Sequence, residues 1–288
     1  MSFWKCLGVD VRARTWPQPE WRERLPNPSS RSHHTDYARR TGSVIRRWRS
    51  GFSRSQRLVR LAGRGRVTWA TGSDGRYSGA MGVYSKLVFP YLCDWGMSSR
   101  QLAELRADVL SPVGGEVLEI GAGTGLNLPH YGDGVEQLVL IDPNPGMHRL
   151  LKRRLGKAKV PAVKQVGRAE SLPFPDDSFD YVVSTFVMCS IPRRKQAMAE
   201  IFRVLRPGGS LVFLEHGLSP DPNVRRWQCR LNPIQKRIGD GCRLDVDVPA
   251  LVRSAPFMLA DLSEGYFARA PKFLGYLYRG TAVKRLAG

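Results

Sequence analysis

Val117-Leu118-Glu119-Ile120-Gly121-Ala122-Gly123-Thr124-Gly125 is the stretch that decides the fold of this chain. Apolar residues on either side of Glu119 predict a buried strand, and the glycines at alternate positions predict a tight turn after it. Because glycine has no Cβ, the backbone of such a turn can approach a ligand closely. The stretch therefore predicts a nucleotide-type site at the carboxyl end of a parallel strand.

Strands and helices alternate regularly around this stretch. The predicted strands span residues 116–120, 137–141, 162–166, 181–187, 211–214, 257–267 and 273–283. Two helical pieces are predicted within residues 84–110, and further helices begin near Thr124, Asn144, Arg194 and Val248. This repetition predicts an α/β fold with a Rossmann-like, doubly wound, mostly parallel seven-stranded sheet. The last two strands are joined by a short link, which favours a C-terminal antiparallel pair at or near the sheet edge.

Composition divides the chain at about residue 80. Residues 1–80 hold 17 Lys and Arg against 5 Asp and Glu, a net charge of +12 that leaves +8 of the total +20 for the rest. The region is rich in Arg, Ser, Gly and Pro and lacks a hydrophobic period, which predicts a disordered extension. Two alternatives stay open: a targeting or membrane-surface helix around residues 45–59, and a start codon assigned upstream of Met81. Residues 81–288 are predicted to form one folded domain.

Charge and cysteine usage exclude several classes of protein. No recognisable nucleic-acid-binding motif accompanies the basic excess, so no nucleic-acid partner is expected. Cys6, Cys93, Cys189, Cys229 and Cys242 are scattered without metal-ligand spacing, which predicts a reducing compartment and no metal site. No apolar run reaches the roughly 18 residues of a membrane span, and the first residues lack the apolar core of a secretory signal. A cytoplasmic location is therefore the expectation.

Three features narrow the ligand of the glycine turn. A dinucleotide fingerprint would place its third glycine at position 126, where this chain has Leu126, and this disfavours NAD(P). Asp142 ends the second strand, 23 residues after Glu119, where a carboxylate can accept both ribose hydroxyls. The turn is not followed by a Gly-Lys-Ser/Thr sequence or another cation suited to a phosphate. A nucleoside without phosphate, held by glycines and an acid, indicates S-adenosylmethionine.

Four motifs follow one another along the core: Glu119–Gly125, Asp142, the link Gly167–Asp180 and Leu205–Gly209. They resemble the successive motifs of class I S-adenosylmethionine-dependent methyltransferases of the type-11 group. The resemblance implies that the glycine turn holds the methionine part of the cofactor, Asp142 the ribose and Ala169–Glu170 the adenine rim. The cofactor-binding residues proposed in this way are Glu119, Gly121, Ala122, Gly123, Gly125, Asp142, Pro143, Ala169 and Glu170.

Two of these assignments leave alternatives open. Arg168 stands where many members of the family have Asp, so either Glu170 or a backbone carbonyl is left for the adenine amino group. For Glu119, structural support of the turn and contact with the methionine amino group are both open. The resemblance divides the domain into N-terminal cap helices over 81–110, a cofactor-binding core over 111–216 and acceptor-side elements over 217–288.

A second set of motifs comprises Tyr84–Trp95, Ser184–Ser190, Glu215-His216, Trp227-Gln228 and Asp240-Gly-Cys242. They resemble the methyltransferase-like thiol S-methyltransferases and their bacterial relatives. In the animal members of that branch the N-terminal helix is membrane-associated, which implies peripheral membrane contact. The resemblance implies a small, apolar methyl acceptor, with a thiol favoured over a quinone-type ring carbon or a lipid amine. A non-catalytic cofactor-binding module is the rival from another class of protein.

Only the thiolate form of a thiol acceptor is reactive, so a base would help the reaction. His216 follows a strand at its carboxyl end, the side on which doubly wound sheets bind ligands, and is the candidate catalytic base. The alternative is a histidine that is simply hydrogen-bonded at a strand end. Cys189 and Cys242 are interpreted as small buried residues rather than as reactive thiols.

Overall fold

The computed structural model describes residues 82–285. The predicted extension over residues 1–80, its two alternatives and Cys6 lie outside this range. Within it, seven strands form one sheet. The strands are β1 Gly115–Ile120, β2 Val135–Asp142, β3 Ala162–Val166, β4 Phe179–Thr185, β5 Leu205–His216, β6 Phe257–Tyr266 and β7 Tyr276–Lys284.

The strands pair in the order β3-β2-β1-β4-β5-β7-β6. The first five are parallel to their neighbours, whereas β7 runs antiparallel to both β5 and β6. This arrangement confirms the predicted doubly wound sheet and its C-terminal antiparallel pair. Because β7 lies between β5 and β6, the reversed strand is next to the sheet edge.

Helices cover the sheet, and a π-helical turn, Tyr84–Val88, leads into the first of them. The α-helices between residues 82 and 285 are α1 Phe89–Met97, α2 Arg100–Leu110, α3 His148–Leu155, α4 Arg194–Val204, α5 Pro222–Ile238 and α6 Val248–Val252. The side chain of Ser99 accepts a hydrogen bond from the N–H of Leu102, so α2 begins at the predicted cap. Asp221 caps α5 in the same way, by accepting from the N–H of Asn223 at 2.8 Å.

Three predicted boundaries are wrong. No α-helix begins near Thr124: residues 121–134 form turns and one short 3-10 helix, Leu128–His130. The segment contains five glycines and Pro129, which disfavour an α-helix. The helix expected from Asn144 begins only at His148, after Pro145-Gly146. β5 begins at Leu205 rather than near 211, so Pro207-Gly208-Gly209 lies inside a strand, where the register against β4 shifts.

The core has one layer on each face of the sheet. Val117 and Leu138 belong to the layer that also includes Leu110 of α2 and residues of α3. The adjacent residues Leu118 and Val139 point to the opposite layer, which is completed by α4 and α6. Burial on both faces explains why these strands are continuous apolar runs in the sequence.

The strand order reverses between β1 and β4. The chain passes from β1 to β2 and β3 on one side, then crosses to β4 on the other side. At such a switch point the connections diverge and leave a crevice at the carboxyl ends of the strands, where ligands bind. Among the described residues, no helix has both the length and the apolar character that crossing a membrane requires.

Candidate active site

A cavity of about 420 Å³ opens at this crevice, within the size range of cofactor and small-molecule sites. Its lining divides by composition into two walls. The polar wall takes its lining residues from Arg106 and from the segments 119–127, 141–147 and 167–170, and the apolar wall takes them from the segments 89–97, 185–192 and 240–241. Gly125 and Cys189 belong to these segments but do not line the cavity. Of the nine residues proposed for the cofactor, all except Gly125 line the cavity.

The glycine turn passes close to the apolar wall. Gly121 has a φ of +61°, and a Cβ at this position would lie 2.0 Å from Cγ2 of Val187. Only glycine fits here, because both the backbone conformation and the space exclude a side chain. Gly125, with a φ of +83°, lies behind the wall, where a Cβ would be 2.7 Å from Cδ1 of Leu151. Gly125 therefore acts through packing and not by lining the cavity.

Asp142 joins the glycine turn to the end of β2. Its Oδ2 accepts a hydrogen bond from the N–H of Gly123 at 2.8 Å, and its Oδ1 accepts one from the N–H of Asn144 at 2.7 Å. Each carboxylate oxygen keeps a second lone pair for a ligand hydroxyl. Burial raises the pKa of Asp142 to about 6, against the effect of the two backbone N–H groups.

Glu119 is fully enclosed beneath the turn. Its Oε2 accepts from the hydroxyl of Tyr131 at 2.7 Å, and its Oε1 accepts from Nδ2 of Asn127 at 3.0 Å. Burial raises the pKa of Glu119 to about 7, although both hydrogen bonds oppose this shift. The carboxylate lines the cavity and also braces the turn, so the two roles left open for it are compatible.

Three buried polar atoms of the polar wall have no hydrogen-bond partner among the described residues: Nε of Arg106, Oδ1 of Asn127 and Oε1 of Glu170. Unpaired buried polar atoms cost free energy, so a group that pairs with them would bind favourably. The sequence interpretation missed Arg106 and Asn127. Arg106 lies on a helix with other charged residues, and nothing in the spacing distinguishes it from a solvent-exposed arginine.

Arg106 is held by the protein through one edge of its guanidinium. Its Nη1 donates to the carbonyl of Met97 at 2.9 Å, and the group lies 5.6 Å from the ring centroid of Phe186. Burial lowers the pKa of Arg106 from its ordinary value, but a guanidinium remains charged. A buried cation with an unpaired N–H is suited to a carboxylate.

These groups fit S-adenosylmethionine. Its carboxylate can accept a hydrogen bond from the free N–H of Arg106, and its ammonium group can donate one to Oδ1 of Asn127. Its ribose hydroxyls can donate to the carboxylate of Asp142. The adenine amino group can donate a hydrogen bond to the free Oε1 of Glu170. Glu170 is one of the two candidates for this contact in the sequence analysis. The proposed cofactor residues Pro143 and Ala169 line the same wall.

Helix α1 covers the cavity and is tied to the glycine turn. Phe89, Cys93 and Met97 on one side of α1 belong to the apolar wall. Asp94 accepts hydrogen bonds from Oγ1 of Thr124 and, at 2.7 Å, from Nη1 of Arg154. The predicted N-terminal cap helices therefore form part of the cavity as well as packing on the core.

The start of the chain that the structure describes is also joined to the end of α5. The hydroxyl of Tyr84 donates to the carbonyl of Ile238 at 2.7 Å, and Oγ of Ser85 donates to Oδ2 of Asp240 at 2.7 Å. Nδ2 of Asn144, which follows β2, donates to the carbonyl of Ser85 at 2.9 Å. Three distant segments thus meet at the edge of the cavity.

His216 does not line the cavity. Its Nε2 lies 3.2 Å from Sγ of Cys242, and the ligating atoms of Cys189, His216 and Cys242 all lie within 4.8 Å of one another. A hydrogen bond with Cys189, together with burial, raises the pKa of Cys242. Spacing along the chain does not reveal this cluster, because its members come from three separate segments.

Comparison with known proteins defines the class. A methyltransferase domain model matches residues 118–213, which contain most of the polar wall. Thiol S-methyltransferase TMT1B of Homo sapiens is 32% identical over 212 residues, covering 69% of this chain and 84% of that protein. The chain belongs to the S-adenosylmethionine-dependent methyltransferases of the type-11 group, and S-adenosylmethionine is its cofactor.

Other similarities are shorter or are limited to the fold. The match to rat TMT1B is 34% identical but spans only 59% of that protein's length. A demethylmenaquinone methyltransferase of Renibacterium salmoninarum is 37% identical over 41% of this chain and 48% of its own length. The structure of an S-adenosylmethionine-dependent methyltransferase from Thermotoga maritima shares the fold, with a TM-score of 0.51 and 18% identity over 70% of this chain and 98% of that one.

Proposed function

We propose that this chain transfers the methyl group of S-adenosylmethionine to the sulfur of a small, apolar thiol. The similarity to thiol S-methyltransferases over most of the human relative's length supports a thiol acceptor. The observation that carries the proposal is the division of one cavity into a polar wall with unpaired groups and an apolar wall. Such a cavity orients a charged cofactor on one side and an apolar acceptor on the other.

In this proposal the cofactor lies along the polar wall. Arg106 pairs with the methionine carboxylate, Asn127 and Glu119 receive the amino group, and Asp142 receives the ribose hydroxyls. The backbone of the glycine turn, held by the bond from the N–H of Gly123 to Asp142, lets the methionine part approach closely. Glu170 accepts the adenine amino group, with Ala169 and Pro143 beside it.

S-adenosylmethionine supplies an electrophilic methyl group on a sulfonium centre. The work of the protein is therefore to align the acceptor and to exclude water, which can contribute up to about 7–11 kcal/mol in favourable systems. Phe89, Met97 and Ile191 of the apolar wall provide a surface for an apolar acceptor. Asp94 and its partners keep α1 closed over the turn.

An acceptor screen with methyl-labelled S-adenosylmethionine tests the proposal. The acceptors are an alkyl thiol, a demethylated quinone and phosphatidylethanolamine, and the alcohol of the same carbon skeleton as the thiol is the matched negative control. We expect label in the thioether product alone. Label confined to the quinone ring or to the lipid amine would refute the thiol, and cofactor binding without any transfer would indicate a binding module.

A further inference from the structure

Three side chains that commonly ligate metals meet beside the apolar wall. Cys189 lies in the turn after β4, His216 is the last residue of β5, and Cys242 lies in the turn after α5. Their two sulfur atoms and the ring nitrogen all lie within 4.8 Å of one another. They are far apart in the sequence, so only the fold brings them together.

The surrounding hydrogen bonds fix the segments that carry these side chains. The carbonyl of Cys189 accepts from Nη2 of Arg194 at 2.7 Å and from the N–H of Arg243 at 3.2 Å. The carboxylate of Glu215 accepts from the N–H groups of Val187 and Met188 at 3.1 and 3.2 Å. The turn after β4 is thereby held both to the end of β5 and to the turn after α5.

The donor set matches one class of cation. Two cysteine sulfurs and one imidazole are ligands that Zn²⁺ prefers, whereas Mg²⁺ and Ca²⁺ prefer oxygen. With Zn–S bonds of about 2.3 Å, two sulfurs on a tetrahedral ion lie about 3.8 Å apart, so the present cluster needs to contract by no more than about 1 Å. Two thiolates and a neutral imidazole balance the charge of a divalent ion, which limits the cost of burying it.

A further contact suits sulfur in its thiolate form. Nε2 of Gln235, on α5, lies 3.4 Å from Sγ of Cys242 and donates a hydrogen bond to it. Donors of this kind around a ligand orient it and stabilise its charge. Exposed Cys229, which is also on α5, has no place in the cluster.

We propose that Cys189, His216 and Cys242 bind a zinc-class divalent cation that fixes the apolar wall. Ser190 and Gly241, the chain neighbours of the two cysteines, line the cavity, whereas the three ligands lie behind it. The ion therefore positions the wall without touching the acceptor. As a ligand, the imidazole of His216 is not available as a catalytic base.

The test uses the full chain without a polyhistidine tag, stripped of metal under reducing conditions and titrated with Co²⁺. Thiolate ligation gives a sulfur-to-cobalt charge-transfer band, which Zn²⁺ should abolish by displacement. We expect one equivalent of Co²⁺ to produce the band, and Cys189→Ser and Cys242→Ser to weaken it at least tenfold. Cys229→Ser is the matched control and should leave the band unchanged.

A second measurement needs no variant. Zn²⁺ should protect Cys189 and Cys242, but not Cys229, from alkylation in the folded protein, and should raise its melting temperature by several degrees. Absence of a charge-transfer band with the unmodified chain would overturn the proposal. A band that persists in Cys242→Ser would also overturn it. A disulfide between Cys189 and Cys242 that forms and persists in the presence of Zn²⁺ would do the same.

Discussion

The two walls of the cavity are built in different ways. The polar wall comes mainly from short segments at the ends of β1, β2 and β3, which neighbouring bonds such as that from the N–H of Gly123 to Asp142 hold together. The apolar wall joins α1, the turn after β4 and the turn after α5. Most of the polar wall is therefore encoded in local sequence at strand ends, with Arg106 as the exception, and acceptor choice depends on the assembly of distant segments.

The largest effect is expected from Gly121→Ala in the polar wall. The new Cβ would collide with Val187 at a backbone conformation that is already unfavourable, which should cost about 3–5 kcal/mol in the free energy of unfolding. Gly123→Ala is the matched control, because its φ is also positive but its Cβ would meet only a backbone oxygen at 3.8 Å. Equal losses in chemical denaturation would show that space at Gly121 is unimportant.

Glu119 should make stability depend on pH. Its pKa in the folded protein is raised to about 7 from an ordinary 4.5, so the folded state holds the proton more tightly than the unfolded state. The free energy of unfolding should fall as pH rises from about 4.5 to about 7, by an amount on the order of 3 kcal/mol. Glu119→Gln should remove this component in urea titrations, whereas exposed Glu104→Gln should retain it. An unchanged slope in Glu119→Gln would contradict the burial argument.

Arg106→Met should weaken the binding of S-adenosylmethionine by about 10- to 100-fold, because a charged hydrogen bond to the carboxylate contributes about 1.5–3 kcal/mol. Arg100→Met, at an exposed position on the same helix, is the control. Decarboxylated S-adenosylmethionine should bind the Arg106→Met variant and the unmodified chain alike. If both ligands lose affinity equally, Arg106 has a structural role and no direct role in binding the carboxylate.

The smallest effect concerns the apolar wall. Phe89→Ala should raise the KM for the acceptor by about three- to tenfold, since roughly 1 kcal/mol of apolar contact is lost, and should leave cofactor affinity within twofold. Tyr91→Ala removes an exposed aromatic ring from the same helix and should change neither value. A change confined to cofactor affinity would mean that Phe89 belongs to the cofactor side of the cavity.

The contrast between local segments and distant contacts also explains which features the sequence could predict. Strand positions and the polar wall follow from apolar runs and glycine spacing, which are local. Arg106 has no such signal, because only the fold shows that its guanidinium is buried with an unpaired N–H. The sequence only weakly favours the long helix α5, since Val224, Trp227 and Leu231 suit a helix but the periodicity weakens across residues 221–240, which include Pro233. The cluster of Cys189, His216 and Cys242 depends on tertiary contacts alone.

The helix expected after the glycine turn is an error of the other kind, a predicted element that the structure does not have. A strand that ends in a glycine turn favours a helix from Thr124, but closely spaced glycines and Pro129 limit the segment to turns and a short 3-10 helix. The site itself is unaffected, because its contacts come from residues 119–127 and not from a following helix.

Calorimetric titration of S-adenosylmethionine into the full chain and into Asp142→Ala tests the central claim most directly. The account predicts binding to the unmodified chain, no binding of NAD, and an affinity lower by about 1–3 kcal/mol in Asp142→Ala, the cost of unpaired polar groups. Binding of equal strength to both proteins would contradict the placement of the ribose at Asp142, and tight binding of NAD would contradict the assignment of the cavity.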